Sequence, residues 1–294
     1  MDLRSSLVVL ACGAVVGCSS APTRTGGPGE PTPQPNGPST PAVPTPSGIT
    51  YQPMHDAAYA LNRHDSLTLQ LPGGATQQQL IDRTAYLRVT LARDAGGYLA
   101  TIVLDSLESA VGGVPSVPDS ILPARGTRWV GTLTPDGKLS ALRADRSSTL
   151  GDQVGSNLRS LFPALPPGGV RSGMEWTDSI EVPIRADAFD ATERSLTRYR
   201  SADSDDPNAK KAIKLESSGT YQRTGRGTQY DQKLEMTASG MRTSVHYLNP
   251  DGTLASAHGS DSGDMTITVP AVGQTVPVKQ SGSYTITSLH SGKR

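Results

Sequence analysis

Apolar and polar side chains alternate along most of the chain after residue 66. Residues 67–71 and 85–91 have apolar side chains at every second position, and residues 98–107 follow after the turn Asp94-Ala95-Gly96-Gly97. A period of two places one face of a strand in the core and the other in solvent. The pattern therefore predicts one strand and then a hairpin, whose second strand is buried more deeply around residues 102–104.

The alternation continues towards the C-terminus, interrupted by loops rich in glycine and proline at residues 112–126 and 166–169. Further strands are predicted around Trp129 and Leu133, residues 138–143, Trp176 to Ile184, Leu196 and Tyr199, Ile213 to Tyr221, Tyr230 to Met236, Val245 and Tyr247, Met265 to Val269, Val276 and Val278, and Tyr284 and Ile286. Many antiparallel strands with frequent turns predict a mainly β (α+β) domain.

One stretch has strong helical spacing. Its apolar stripe is followed by Pro163, and Thr149 with Asp152 can form a capping box at its start; the stripe comprises Leu150, Val154, Leu158 and Leu161. Residues 51–62 have weaker helical spacing, which predicts a second, short helix. We expect a curved antiparallel sheet or half-barrel with one amphipathic helix, that of residues 149–161, packed on it.

Two seven-residue segments resemble each other. Residues 133–139 and 248–254 are identical at five of seven positions, including Pro-Asp-Gly in both. A duplication would explain the match, and so would independent use of a favoured turn sequence. Both explanations stay open, and the domain is expected to consist of two related halves only under the first.

The N-terminus has the features of an export signal. Residues 7–16 form an apolar run of ten residues, too short to span a bilayer but typical of a signal peptide. The segment Val15-Val16-Gly17-Cys18 that ends it resembles the lipobox of bacterial lipoproteins, with Val15 where that family usually has leucine. The resemblance implies cleavage before Cys18, acylation of Cys18 and a location in the bacterial cell envelope. Ser19 and Ser20 lack the aspartate that retains some lipoproteins at the inner membrane, which favours the outer membrane.

Three regions follow from this boundary: a signal peptide (residues 1–17), a membrane tether (18–49) and an antiparallel β domain (50–294). The tether has nine prolines between residues 19 and 47, together with two charged residues. Proline lacks an N–H donor and fixes φ, so such a segment is extended and semi-rigid. We interpret it as a spacer; a proline-rich ligand for a partner groove is the alternative.

The composition and motifs of the chain restrict the functions that it can have. Lysine plus arginine equals aspartate plus glutamate at 27 each, so no net charge draws the chain to nucleic acid. Signal cleavage would leave Cys18 as the single cysteine, which excludes an internal disulfide. No G-x-S-x-G or H-E-x-x-H motif occurs. We therefore expect no enzyme activity, no catalytic or metal site and no cofactor, with a hydrolase as a remote possibility.

Two functions are compatible with these features. The first is a monomeric, tethered module that binds a lipid or another hydrophobic ligand in a curved sheet, with Trp129, Trp176, Leu158 and Leu161 as candidate ligand contacts. The second is a structural or protein-interaction module of the envelope. The predicted shape resembles the half-barrel of lipoprotein carriers and related envelope lipoproteins, which implies an acyl-binding concave face. Arg194, Arg198 and Arg200 share one strand face and could meet an anionic head group, although charged edge strands are common.

Overall fold

The computed structural model describes residues 48–71, 73–186, 189–229 and 232–289. The signal peptide, Cys18 and the tether up to residue 47 lie outside the described residues. Twelve strands form one sheet: β1 Met54–Gln70, β2 Thr76–Asp94, β3 Gly97–Val111, β4 Val114–Pro115, β5 Arg128–Leu133, β6 Leu139–Ala144, β7 Glu175–Ala186, β8 Phe189–Asp203, β9 Ile213–Gln229, β10 Gln232–Leu248, β11 Leu254–Val269 and β12 Gln274–Leu289.

The sheet consists of two meanders joined by the first and last strands. Its order is β6-β5-β3-β2-β1-β12-β11-β10-β9-β8-β7, with β4 paired to β3 off this path. Every pairing is antiparallel, and β1 pairs with β12 from Ala58–Leu289 to Leu69–Val278. The two edges are β6 and β7, which are consecutive in sequence but lie at opposite ends of the path.

The sheet curls into a half-barrel, which confirms the predicted mainly β architecture. Two apolar clusters lie on the concave face, and each extends over several neighbouring strands. Leu67 of β1, Ile81 of β2 and Met236 of β10 belong to one apolar cluster near one end of the strands. A larger cluster fills the other end, where Leu87 of β2 and Leu215 of β9 are both buried.

The segment between β6 and β7, residues 145–174, crosses the open side of the half-barrel and is called the insert here. It contains a helix, Thr149–Gly155, and a 3₁₀ turn, Leu158–Leu161. Ser148 rather than Thr149 caps the helix, since its hydroxyl accepts the Gly151 N–H at 3.1 Å. The other α-helix of the described residues, Pro118–Ile121, is a single turn, and neither is long and apolar enough to cross a bilayer.

The helix predicted over residues 51–62 is wrong, because most of that stretch belongs to β1. A register shift lies between Met54 and Ala57, which pair with Leu91 and Val89, and Asp56 has φ of 49°. This β-bulge puts two inward side chains three residues apart instead of two. The sequence therefore acquires helical spacing although the backbone is extended.

Hydrogen bonds from the side chains of Tyr51, Trp176 and His246 are among those that hold the insert against its surroundings. The Tyr51 hydroxyl donates to the Pro163 carbonyl at 2.9 Å, and Trp176 Nε1 donates to the Ala164 carbonyl at 3.2 Å. His246 Nε2 lies 2.9 Å from the Ser160 carbonyl, which can only accept, so this nitrogen carries the proton. His246, two residues before the end of β10, therefore links this strand to the 3₁₀ turn.

His246 is expected to make stability depend on pH. Its burial lowers its pKa to about 4, although the hydrogen bond to Ser160 acts in the opposite direction. The unfolded chain, with a pKa near 6.5, binds a proton that the folded chain rejects, so stability present above pH 6.5 is lost as pH falls towards 4. Urea titrations should show the unfolding free energy falling by roughly 2 kcal/mol between pH 7 and pH 5.

His246→Gln should remove most of that pH dependence, because glutamine does not titrate in this range. The matched control is His55→Gln, since His55 is an exposed histidine on the same sheet. An unchanged pH slope in His246→Gln would show that other groups cause it.

Candidate functional site

A cavity of about 960 Å³ lies between the insert and the concave face of the sheet. One wall comes from the insert and the start of β6, another from β1 and β2, and the third from β7 to β12. The cavity separates the two apolar clusters, so it occupies the middle of the half-barrel rather than an end. A concave, partly enclosed space of this size is typical of small-molecule sites.

Strand register places charged side chains in a row beneath this cavity. Asp65 pairs with Gly282, Gly282 with Asp261, and Asp261 with Arg242, on four consecutive strands. The charged band is defined here as the ion-paired, inward-facing residues around this row: Arg63, Asp65, Arg83, Glu193, Arg223, Arg242 and Asp261. It lies on the face that sequence parity predicted to be apolar.

One half of the charged band is built on β1 and β2. Arg63 Nε donates to Asp65 Oδ1 and Arg63 Nη2 donates to Asp261 Oδ1, both at 2.8 Å, so this side chain bridges β1 to β11. Arg83 Nη1 donates to the other oxygen of Asp65 at 3.1 Å. Burial opposes the charge of both arginines; for Arg63 the two carboxylates outweigh it and raise the pKa, whereas for Arg83 burial prevails and lowers it.

The other half centres on Glu193 of β8. Arg223 Nη2 donates to Glu193 Oε2 at 2.6 Å, and Arg242 Nη1 donates to Oε1 at 2.6 Å. Burial disfavours the ionised carboxylate, but the hydrogen bonds and charges of the two arginines prevail and lower its pKa to about 2. Arg242 also lies over the Tyr221 ring, with Cζ 4.2 Å from the ring centroid.

Glycines make room for these large side chains on the concave face. A Cβ on Gly263 would lie 2.5 Å from the Tyr221 hydroxyl oxygen, and one on Gly259 would lie 2.6 Å from Tyr284 Cε1. The guanidinium of Arg63 covers a third glycine, Gly282, in the same way. These side chains lie flat on neighbouring strands only because no Cβ is present there.

The lining also has an apolar part. Leu67 and Ile81 contribute from β1 and β2, Phe162 from the insert, and Ile180 and Val182 from the edge strand β7. Leu67 and Ile81 lie two residues from Asp65 and Arg83 on the same face of their strands, so polar and apolar surfaces adjoin. The arrangement can hold a molecule that has both a polar and an apolar part.

The four ligand contacts predicted from the sequence are placed differently. Trp129, Leu158 and Leu161 are packed in the larger apolar cluster, and none of them lines the cavity. Trp176 is half-buried and stacks on Tyr199, with ring centroids 5.1 Å apart; Tyr199 itself lines the cavity. Ligand contact through these four side chains stays a prediction without support from the cavity geometry.

Sequence reasoning missed the charged band, although part of its signal was present. Arg63 and Asp65 have the parity of Leu61 and Leu67 on β1, which marks them as inward-facing charges. The predicted arginine face of β8 is on the opposite, outer side, where Arg194 forms an exposed ion pair with Glu181.

Replacing Glu193 should be strongly destabilising. Glu193→Gln leaves two arginines without their carboxylate in a site where the Glu193 side chain is only 11% exposed. We expect a loss of about 3 kcal/mol in the unfolding free energy measured by urea titration. The matched control is Glu181→Gln, which breaks an ion pair whose partners are mostly exposed and should cost less than about 1 kcal/mol. Equal losses would contradict the proposed importance of burial.

Comparison with known proteins assigns no family. No protein-family model and no curated protein matches the chain. DynF from the dynemicin biosynthesis pathway of Micromonospora chersina is 12% identical, with 88% of this chain and 92% of that chain covered and a TM-score of 0.24. Neisserial surface protein A is 9% identical, covering 79% and 97%, with a TM-score of 0.22. OccK2 of Pseudomonas aeruginosa, solved with glucuronate, is 7% identical, covering 82% and 98%, with a TM-score of 0.24. Likeness at these TM-scores carries no argument about this chain.

Proposed function

We propose that the protein is a non-enzymatic, lipid-anchored module of the bacterial cell envelope, with the outer membrane favoured, that binds a lipid-like ligand in its half-barrel. The observation that carries the ligand part is the cavity between the insert and the sheet, whose lining joins charged and apolar surfaces. Charged and apolar surfaces side by side suit an amphipathic molecule better than a purely apolar one.

The anchor part depends on the N-terminal sequence. The run of ten apolar residues, 7–16, ends two residues before Cys18, and the proline-rich tether follows directly after the cysteine. Each acyl CH₂ buried in a membrane contributes about 0.8 kcal/mol, so two or more chains on Cys18 would hold the domain permanently. The tether would then keep the half-barrel away from the bilayer surface.

The anchor is tested by labelling the full chain with radioactive palmitate in a bacterial host. We expect wild-type protein to be labelled and to sediment with the membrane fraction, and Cys18→Ser to lose the label. Cys12→Ser is the matched control, because Cys12 lies within the apolar run and is predicted to be removed. Label retained by Cys18→Ser would contradict the assignment.

Ligand binding is tested with the mature chain, residues 18–294 carrying Cys18→Ser, exported behind a cleavable secretory signal. Native mass spectrometry should show a bound mass that disappears on denaturation and matches a lipid in the solvent extract. A bare mass for the wild-type chain would overturn the ligand part of the proposal.

A cavity-filling variant makes that measurement specific. Thr197→Trp places a large ring in the cavity wall and should lower the bound fraction severalfold. Thr224→Trp, on the exposed outer face of β9, should bind as the wild type does. Equal occupancy in Thr197→Trp and wild type would place the ligand elsewhere.

The second candidate function, a protein-interaction module, has one observation in its favour. Large apolar side chains are exposed together around the β3–β4 hairpin and the short helix after it; they are Val111, Val114, Val117 and Leu122, the second of which is 70% exposed. Exposed apolar patches often mark interaction sites. A bare mass in the experiment above would direct attention to this patch.

A further inference from the structure

The cavity contains a clue to the chemistry of its ligand. We propose that the ligand is an acidic amphiphile whose carboxylate or phosphate group binds Arg83 and Arg159. This inference rests on the proposed function, since it specifies the head group of the molecule held in the same cavity.

The first support is a pair of unsatisfied donors. Among the described residues, the buried side-chain nitrogen or oxygen atoms without a hydrogen-bond partner are the Nε atoms of Arg83 and Arg159. Both arginines line the cavity. Buried donors are nearly always paired in folded proteins, and both exceptions belong to arginines of one cavity lining, which indicates an acceptor that the protein itself does not supply.

The two guanidinium groups are held in place without being saturated. The Arg83 side chain is only 9% exposed, and its Nη1 donates a hydrogen bond to Asp65. Arg159 Nη1 donates a hydrogen bond to the Leu139 carbonyl at 2.6 Å. A guanidinium has five N–H donors in a planar fork, which matches the paired oxygens of a carboxylate or a phosphate. Each arginine therefore retains donors for a ligand while its position is already fixed.

The second support is charge. The charged band contains four arginines and three carboxylates, and Arg159 on the insert faces the same cavity as a fifth arginine. Of the further carboxylates of the lining, both on the edge strand β7, Glu181 is paired with Arg194, whereas Asp178 has the inward parity of Ile180, so five arginines face four carboxylates. The interior of the cavity thus carries excess positive charge, which a neutral head group such as a sugar would leave uncompensated.

Apolar side chains adjoin both arginines and can receive the tail of the ligand. Ile81 lies two residues before Arg83 on the same face of β2. Phe162 lies three residues after Arg159 in the insert, and both apolar side chains line the cavity. A head group between Arg83 and Arg159 would therefore leave its alkyl chain in contact with apolar surface. Because of this apolar surface, the cavity suits an acidic amphiphile better than a small free anion.

The test compares ligands that share a twelve-carbon chain. The delipidated mature chain, residues 18–294 with Cys18→Ser, is titrated calorimetrically with dodecanoate, dodecyl phosphate and dodecanol, and with inorganic phosphate as the head group alone. Since hydrogen bonds to charged groups are stronger than neutral ones, the acidic probes should bind about tenfold or more tightly than dodecanol. Preference for the phosphate would indicate a phospholipid-like ligand, and preference for the carboxylate a fatty acid; either supports the inference.

The outcomes separate this inference from the proposed function. Equal affinity for dodecanol and the acidic probes would overturn the head-group assignment and leave lipid binding intact. Failure of every alkyl probe to bind would overturn both. Inorganic phosphate binding as tightly as dodecyl phosphate would show an anion site and contradict an amphiphilic ligand.

Variants locate the head group. Arg83→Gln and Arg159→Gln should each weaken dodecanoate and dodecyl phosphate about tenfold while leaving dodecanol nearly unchanged. Arg198→Gln is the matched control, because Arg198 is exposed on the outer face of β8. If Arg83→Gln unfolds through loss of its ion pair with Asp65, Arg159→Gln still decides, since its described bond is to a backbone carbonyl. Equal weakening for dodecanol would indicate a distorted cavity and overturn the assignment.

Discussion

The pairing of β1 with β12 is the interaction on which the rest of the half-barrel depends. It joins the meander β1–β6 to the meander β7–β12 along a ladder that runs from residue 58 to residue 69 of β1. Without it, each meander would expose an additional long edge and the concave face would be cut in two. The bridge from Arg63 to Asp261 spans this junction, so the pairing of the two strands in this register is what joins the β1–β2 half of the charged band to the half on the other meander.

Burying the charged band is costly, and the surrounding structure shows how the cost is limited. Two carboxylates each receive two arginines, and Asp261 receives Arg63, so no carboxylate of the band lacks a cation. Replacing such pairs by apolar residues is often neutral or stabilising in proteins, so stability alone does not account for them. The glycines beneath Tyr221, Tyr284 and Arg63 also have no side chain that could make apolar contacts in the core. The buried charges and the glycines both contribute to an open, polar cavity in the middle of the core.

Alternation of apolar residues was enough to predict the strands and the curved antiparallel sheet, because a half-buried strand imposes a period of two. It failed at Met54 and Ala57, where the β-bulge produces helical spacing in extended backbone. For the site, parity could mark Arg63 as inward-facing but could not supply its partner, since Asp261 is 198 residues away in sequence. Nor could it show that Trp129 is packed in the core. Parity tells which face of a strand points inward, but it does not tell whether the space on that face is a cavity or is filled by side chains.

The two Pro-Asp-Gly turns show how one steric requirement can resemble common ancestry. Gly137 and Gly252 both have positive φ, and both turns lie against the segment of residues 50–51. A Cβ on Gly137 would lie 2.7 Å from Tyr51 Cε2, and one on Gly252 would lie 3.1 Å from Tyr51 Cα. The same glycine would therefore be required in each turn whether or not the halves share an origin. Both explanations therefore stay open, and evidence for duplication has to come from positions that do not touch Tyr51.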